Sequence, residues 1–200
     1  MPDTTKTLNE LDPSLVTVGK PVDGGCAYTS FAASPKLPTD AVTKMSSLAD
    51  FVSLGELTPD GFTESKSVST TDHKGWHGTV LVTSVDDETN TFKLSLLEVN
   101  RPAAAKMRYG DSAVTVGTDG SVASIKAAMY DGRPHPLVID ELESNGFLRR
   151  TIVKKAVVTA FDDVTHQRGS LVSFGMTFTA NEPDDGSAAI EVYRAKPASA

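Results

Sequence analysis

Cysteine, histidine and aromatic side chains are scarce in this chain: one Cys, four His, and 6% Phe, Trp and Tyr combined among 200 residues. The lone Cys26 excludes an intramolecular disulfide. In a strand-like stretch with no base beside it, a single thiol is a small buried hydrophobe rather than a nucleophile. His73 and His77 are four residues apart, but in extended or turn backbone that spacing does not turn both rings to one face, and the Glu of a zinc-binding helix is missing. His135, between Pro134 and Pro136, reads as a loop residue, and His166 falls in an expected hairpin loop. No Gly-x-Ser-x-Gly elbow, no glycine-rich phosphate loop and no dinucleotide fingerprint occurs. Asp184-Asp185-Gly186 lacks the alternating ligands and closing Glu of a calcium loop. The acidic pairs Asp86-Asp87, Asp162-Asp163 and Asp184-Asp185 each fall where a solvated turn is expected, which argues against acid–base chemistry. The expectation is a protein without catalytic, cofactor-binding or metal-ligating residues.

Long apolar runs are also missing, so no membrane span is expected, and the segment Met1–Leu15 carries Asp3, Lys6, Glu10 and Asp12 in place of the apolar core of an export signal. The chain reads as one made and kept in cytoplasm. Its net charge of −7 and sequence pI near 5.0 disfavour a protein that grips nucleic acid through phosphate contacts and allow one that must not grip it. A length of 200 residues is enough for one β-rich core without staples.

What is present is β-patterned. Phe92, Leu94 and Leu96 alternate with Thr91, Lys93 and Ser95, one apolar and one polar face of a strand. Its expected partner is Gly78–Val85, across a charged tip at Asp86–Asn90. Asn100, Pro102, Ala103–Ala105 and Gly110 spell one short helix, with Asn100 as its cap and Lys106 and Arg108 at its negative end. Ser112–Val116, Ala123–Tyr130 and Leu137–Leu142 read as short strands. Ile152–Phe161 and the alternating Val172, Phe174, Met176 and Phe178 read as a last hairpin. The fold class expected is mainly β: an antiparallel sandwich or barrel with one short α-helix and a long projecting hairpin or loop. Its parts are an N-terminal arm (1–23), one domain (24–193) and a flexible tail (194–200).

The projecting part is Asp60–Gly78. From Thr63 onward a hydroxyl series (Thr63, Ser65, Ser67, Ser69, Thr71) alternates with a mixed one (Glu64, Lys66, Val68, Thr70, Asp72), so both faces are wet and the segment cannot fold alone. Nine extended residues reach about 30 Å, beyond a body whose radius of gyration is about 16 Å. Trp76 reads as an anchor closing the base of this arm on the body, with a contact across subunits as the alternative.

Leu54-Gly55, Asp60-Gly61, the spacing of Asp72, Lys74, Trp76 and Gly78, then Leu97-Glu98-Val99-Asn100 and Tyr109-Gly110, taken in order, resemble the major tail proteins, or tail tube proteins, of long-tailed bacteriophages. Gly24-Gly25, a short strand to Phe31 and Leu37–Ala41 look like that family's opening. Met176–Ala180, the turn Glu182–Gly186 and Glu191-Val192-Tyr193 resemble its final hairpin. The likeness spans about Gly24 to Tyr193. It departs at Leu57, where many relatives have an aromatic residue, and at His77, where many have a small one.

The resemblance implies a structural virion protein whose subunits form hexameric rings that stack into the tail tube, the conduit for genome delivery. It implies the arm as the tie between rings, with Asp60, Gly61, Phe62, Thr63, Glu64, Lys66, Val68, Asp72, Lys74 and Trp76 as self-assembly residues. Implied partners are the chain itself, a tape measure protein inside the tube, tail tip and tail terminator proteins, and phage DNA passing without specific binding, with no membrane. Its place would be the virion tail, after assembly in the host bacterial cytoplasm. The alternatives are a ring protein of the neck or tail tip with the same fold and, from another class, a β-sandwich binding module.

Overall fold

Alternating apolar and polar residues build eleven strands and one α-helix in a computed structural model that describes residues 12–22 and 25–197. Most of the expected N-terminal arm, Gly24 and the end of the expected tail lie outside the described residues. The strands are β1 (Gly19–Pro21), β2 (Ala27–Ser30), β3 (Phe51–Gly55), β4 (Leu57–Lys74), β5 (Val80–Leu96), β6 (Val114–Val116), β7 (Val122–Ile125), β8 (His135–Glu143), β9 (Leu148–Phe161), β10 (Phe174–Ala180) and β11 (Ile190–Ala195), with α1 (Pro102–Tyr109) between β5 and β6.

One antiparallel sheet runs β3-β2-β8-β9-β10-β5-β4, and β6 and β7 pair apart from it. Its two ends, β3 and β4, are consecutive in the chain and joined by Glu56 alone. The sheet must therefore roll so that its ends meet at that residue, and the Leu97 amide donates to the Glu56 carbonyl at 2.8 Å, carrying the β4–β5 ladder up to the joint. The roll encloses the main core: Leu54, Phe92, Leu94, Leu96, Leu137, Ile139, Val153, Met176 and Phe178, plugged by Ala103, Ala104 and Met107 of α1. Antiparallel rolling of this kind matches the expected mainly β, sandwich or barrel class with one short helix.

β8 is buried on both faces, which explains its nearly unbroken apolar run. Leu137 and Ile139 enter the main core, while Val138 joins Met45, Phe51 and Ile152 in a second cluster under the 31–50 crossover. A buried ion pair pins that crossover. Arg150, only 2% exposed, donates from Nε and Nη2 to the Asp140 carboxylate at 2.6 and 2.7 Å, and from Nη1 to the Asp40 carbonyl at 2.9 Å. The Asp40 carboxylate in turn accepts from the Val42 and Thr43 amides.

Several expectations are corrected. Asp86–Asn90 is not a hairpin tip: β5 runs straight through it, and Asp87 to Asn90 pair with Ser69 to Lys66 of β4. Acids are tolerated there because that part of the strand is wet on both faces. The helix ends at Gly110 (φ +95°), as its sequence indicates, but Arg101 rather than Asn100 holds the N-cap position, without a side-chain cap. Arg101 instead donates from Nε to Glu98 at 2.7 Å. His135 is not a loop residue: it opens β8, lies half-buried against Phe31 with ring centroids 4.9 Å apart, and has Nδ1 3.1 Å from the Ser30 carbonyl. β9 and β10 form the expected hairpin, whereas β11 returns to β9 and not to β10. Gly19–Pro21 adds to the sheet on β8, and the Arg194 guanidinium pairs with Glu143 and stacks 4.0 Å from the Phe147 ring.

Arg150→Met should lower stability by ~3–5 kcal/mol, because it strands the Asp140 charge in the interior, and Arg150→Met with Asp140→Leu should recover most of the loss. Urea unfolding midpoints at neutral pH check both.

Candidate assembly surface

The β4–β5 pair is a core element at one end and a free ribbon at the other. At its root Phe62 pairs with Leu94 and Glu64 with Phe92, and β10 flanks β5 from Leu96 to Asn90. Among the described residues no third strand follows beyond Lys66 and Asn90, so Ser67–Lys74 and Val80–Thr89 form a two-stranded projection. About eight extended residues carry it some 25 Å outward. Polar cross-strand contacts replace a core there: Lys66 with Glu88 at 2.7 Å, the Thr83 hydroxyl donating to Asp72 at 2.7 Å, Thr71 donating to Asp86, and His73 Nε2 beside the Ser84 hydroxyl at 3.1 Å.

Register assigns the faces. Thr63 pairs with Lys93 and Lys93 with Thr177, and Ser65 with Thr91 and Thr91 with Thr179. These rows alternate with the buried Phe92, Leu94, Met176 and Phe178. The hydroxyl series therefore continues the outer face of the body, and Glu64, Lys66, Val68 and Asp72 continue the core-facing side past the point where the core ends.

The tip is Gly75-Trp76-His77-Gly78. The Gly75 amide donates to the Thr79 carbonyl and the Gly78 amide to the Gly75 carbonyl, both at 2.8 Å, and Gly78 takes φ +80°, a region costly for a side chain. Trp76 is 100% exposed. The reading of this residue as an anchor at the base of the arm is thus overturned: the turn places it farthest from the body. Asp60, Gly61 and Phe62 lie instead at the root, separated from Trp76 by the length of the ribbon.

Four residues of this surface were not among those expected: Val80, Leu81, Val82 and Val85 line the returning strand, all exposed, with Leu81 at 69%. Their signal is the Val80-Leu81-Val82 run, which a chain reversal at Asp86–Asn90 would place in a hairpin of the body. From His73 to Val85 the tip carries Lys74 and two histidines and no carboxylate.

The root has a different character. Between the pairs Leu57 with Leu96 and Phe62 with Leu94, β4 advances five positions while β5 advances two. The surplus, containing Pro59 and Gly61 (φ +68°), is thrown outward on the edge strand, where a proline removes no ladder bond. Beneath it, against β1 and β8, lies a cavity of about 460 Å³ floored by Leu57, Phe62, Leu97 and Cys26. Glu56, Asp60 and Glu141 stand at its rim with Lys20. Burial is the first cause raising the Glu141 carboxyl above its usual range, partly offset by Arg149. The Cys26 thiol is pushed up to about 11 by burial and then by the Glu56 charge.

Among the described residues no group of His, Cys, Asp and Glu could hold a metal ion, and no helix is long and apolar enough to cross a membrane. The family model described as phage tail tube protein matches residues 26–199, and no curated protein matches the chain.

Cys26 should be chemically quiet in the folded protein. A shift from 9.0 to about 11 cuts the thiolate fraction near pH 8 about 100-fold, and the thiolate is the reacting species. Iodoacetamide labelling followed by mass spectrometry should be slower than in urea by at least that factor.

Proposed function

The chain belongs to the phage tail tube protein family, a structural component of the phage tail, and from that premise we propose that it assembles into hexameric rings whose head-to-tail stacking builds the conduit for the genome. The observation that carries this reading is the ribbon: a strand pair, anchored in the core, with exposed Trp76, Leu81 and Val82 that the body does not cover. Apolar side chains grouped in this way on a soluble chain mark an interaction surface.

Two further features fit. The free edge of β4 offers unpaired backbone groups along its length, which neighbours in a ring can pair into a continuous inner sheet. A contact between unlike surfaces closes into a ring when its rotation closes and grows as an open filament when it does not, and a stacked tube needs both kinds. The outer hydroxyl face of β4, β5 and β10 would suit a lumen wall, since it presents hydroxyls without a basic track to hold phosphates, and the acidic net charge adds repulsion. Tape measure, tip and terminator proteins are the partners this role requires, with assembly in the bacterial cytoplasm. A neck or tail-tip ring protein would form rings that do not lengthen.

Replacing Val68–Glu88 by Asn-Gly keeps the Ser67–Thr89 pair as the close of a tight hairpin. The product should fold with an unchanged unfolding midpoint yet form no tubes by negative-stain electron microscopy at concentrations where the full chain does. Normal tubes from this variant would remove the ribbon from the mechanism.

A further inference from the structure

The ribbon tip and the root cavity lie at opposite ends of one strand pair: Lys74 pairs with Val80 at the tip, and Leu57 with Leu96 at the root. Along β4 that separation is about 50 Å at 3.3 Å per residue, so Trp76 cannot reach the cavity of its own chain. A second copy oriented the same way presents its root to the tip of the first.

The two ends match in three respects. The cavity, about 460 Å³, is within the range of pockets that enclose small aromatic ligands, ~300–1,000 Å³. Its floor of Leu57, Phe62 and Leu97 is apolar, and Trp76 is a fully exposed indole with no other burial on its own chain. Its rim carries Glu56, Asp60 and Glu141 against Lys20, while the tip carries Lys74 and no acid. A larger cavity of about 600 Å³ beside Met45 has Lys44 and Arg149 around it and would repel Lys74.

Resting on the tube reading, we infer that Trp76 of one copy inserts into the cavity under the β4 bulge of the next copy, with Lys74 facing that copy's acidic rim. The contact is heterologous and repeats without closing, so it supplies the axial growth of a filament. A single large aromatic seated in a desolvated pocket and ringed by charge is the usual form of an interface hot spot. The bulge thereby acquires a role: without its surplus residues β4 would lie flat on β5 and leave no room for an indole.

The test uses the full chain and its only tryptophan. On passing from monomer to sedimented tubes, Trp76 emission should shift to the blue and acrylamide quenching should fall severalfold. Trp76→Ala should raise the critical concentration by about 30-fold, the effect of a hot-spot truncation. Lys74→Glu should also raise it, and Lys74→Glu combined with Asp60→Lys should bring it back towards the parent value. Tubes in which Trp76 is as quenchable as in the monomer would overturn the insertion and leave the tube reading intact, as would a charge swap without recovery. No tubes at any concentration, even with tail-tip nuclei added, would defeat the tube reading and the insertion together.

Discussion

A two-stranded ribbon in water is marginal by itself, so everything that projects from this molecule depends on how β4 and β5 are held at their root. There, Phe92, Leu94 and Leu96 are fully buried and β10 supplies a third strand. Each buried aromatic or aliphatic side chain contributes about 1.5–3 kcal/mol, enough to fix the register of the pair before it leaves the body. Past Lys66 and Asn90 the strands start from that register and shift it by one residue at Ser69/Thr70 and again at His73/Lys74. The backbone ladder continues, Lys66–Glu88 and Thr83–Asp72 hold the polar pairs together, and the projection needs no core of its own.

The same arrangement leaves a hazard. An edge strand with unpaired donors and acceptors invites uncontrolled pairing. Pro59 interrupts the edge at the root, and the register shifts at Ser69/Thr70 and His73/Lys74 keep the ribbon from lying flat. Hydroxyls and paired charges occupy most outward positions, and the exposed apolar side chains are gathered mainly near the tip. A net charge of −7 adds long-range repulsion, screened beyond about 8 Å at physiological ionic strength, so encounters that do not bring complementary ends together gain little.

Much of this was legible in the residues, and the failures have physical causes. The helix was readable because Pro102, three alanines and Gly110 each act locally. The projection was readable because alternation of two polar series cannot build a core. The tip was misplaced because Asp86-Asp87-Glu88-Thr89-Asn90 has the composition of a turn, and composition reports wetness rather than reversal of the chain. On a ribbon wet on both faces the two cannot be separated, and Gly75 and Gly78, which bracket Trp76, were the better signal. The pairing of β11 with β9 was not legible: β9 is long enough to seat β10 along one half of an edge and β11 along the other, and nothing local to β11 encodes that choice. The Arg150–Asp140 pair is likewise a meeting of adjacent strands that either residue alone would leave as an ordinary surface charge.

One irregularity ties the two ends of the molecule together. The surplus residues of β4 between Leu57 and Phe62 are a defect in the ladder, and a strand that only had to complete the body would be expected to lose them. They sit where the closing seam of the rolled sheet passes into the ribbon, so they set both the cavity at the root and the point from which the ribbon departs. A head-to-tail contact needs two unlike surfaces in fixed relation, and one continuously paired strand pair carries a bulge at one end and a turn at the other. The distance between the two surfaces is then set by the number of paired residues from Phe62 to Lys74. The ribbon already absorbs single surplus residues on β5, at Asp86 and Leu81, as bulges, so that distance follows the paired positions and not the residue count of either strand alone.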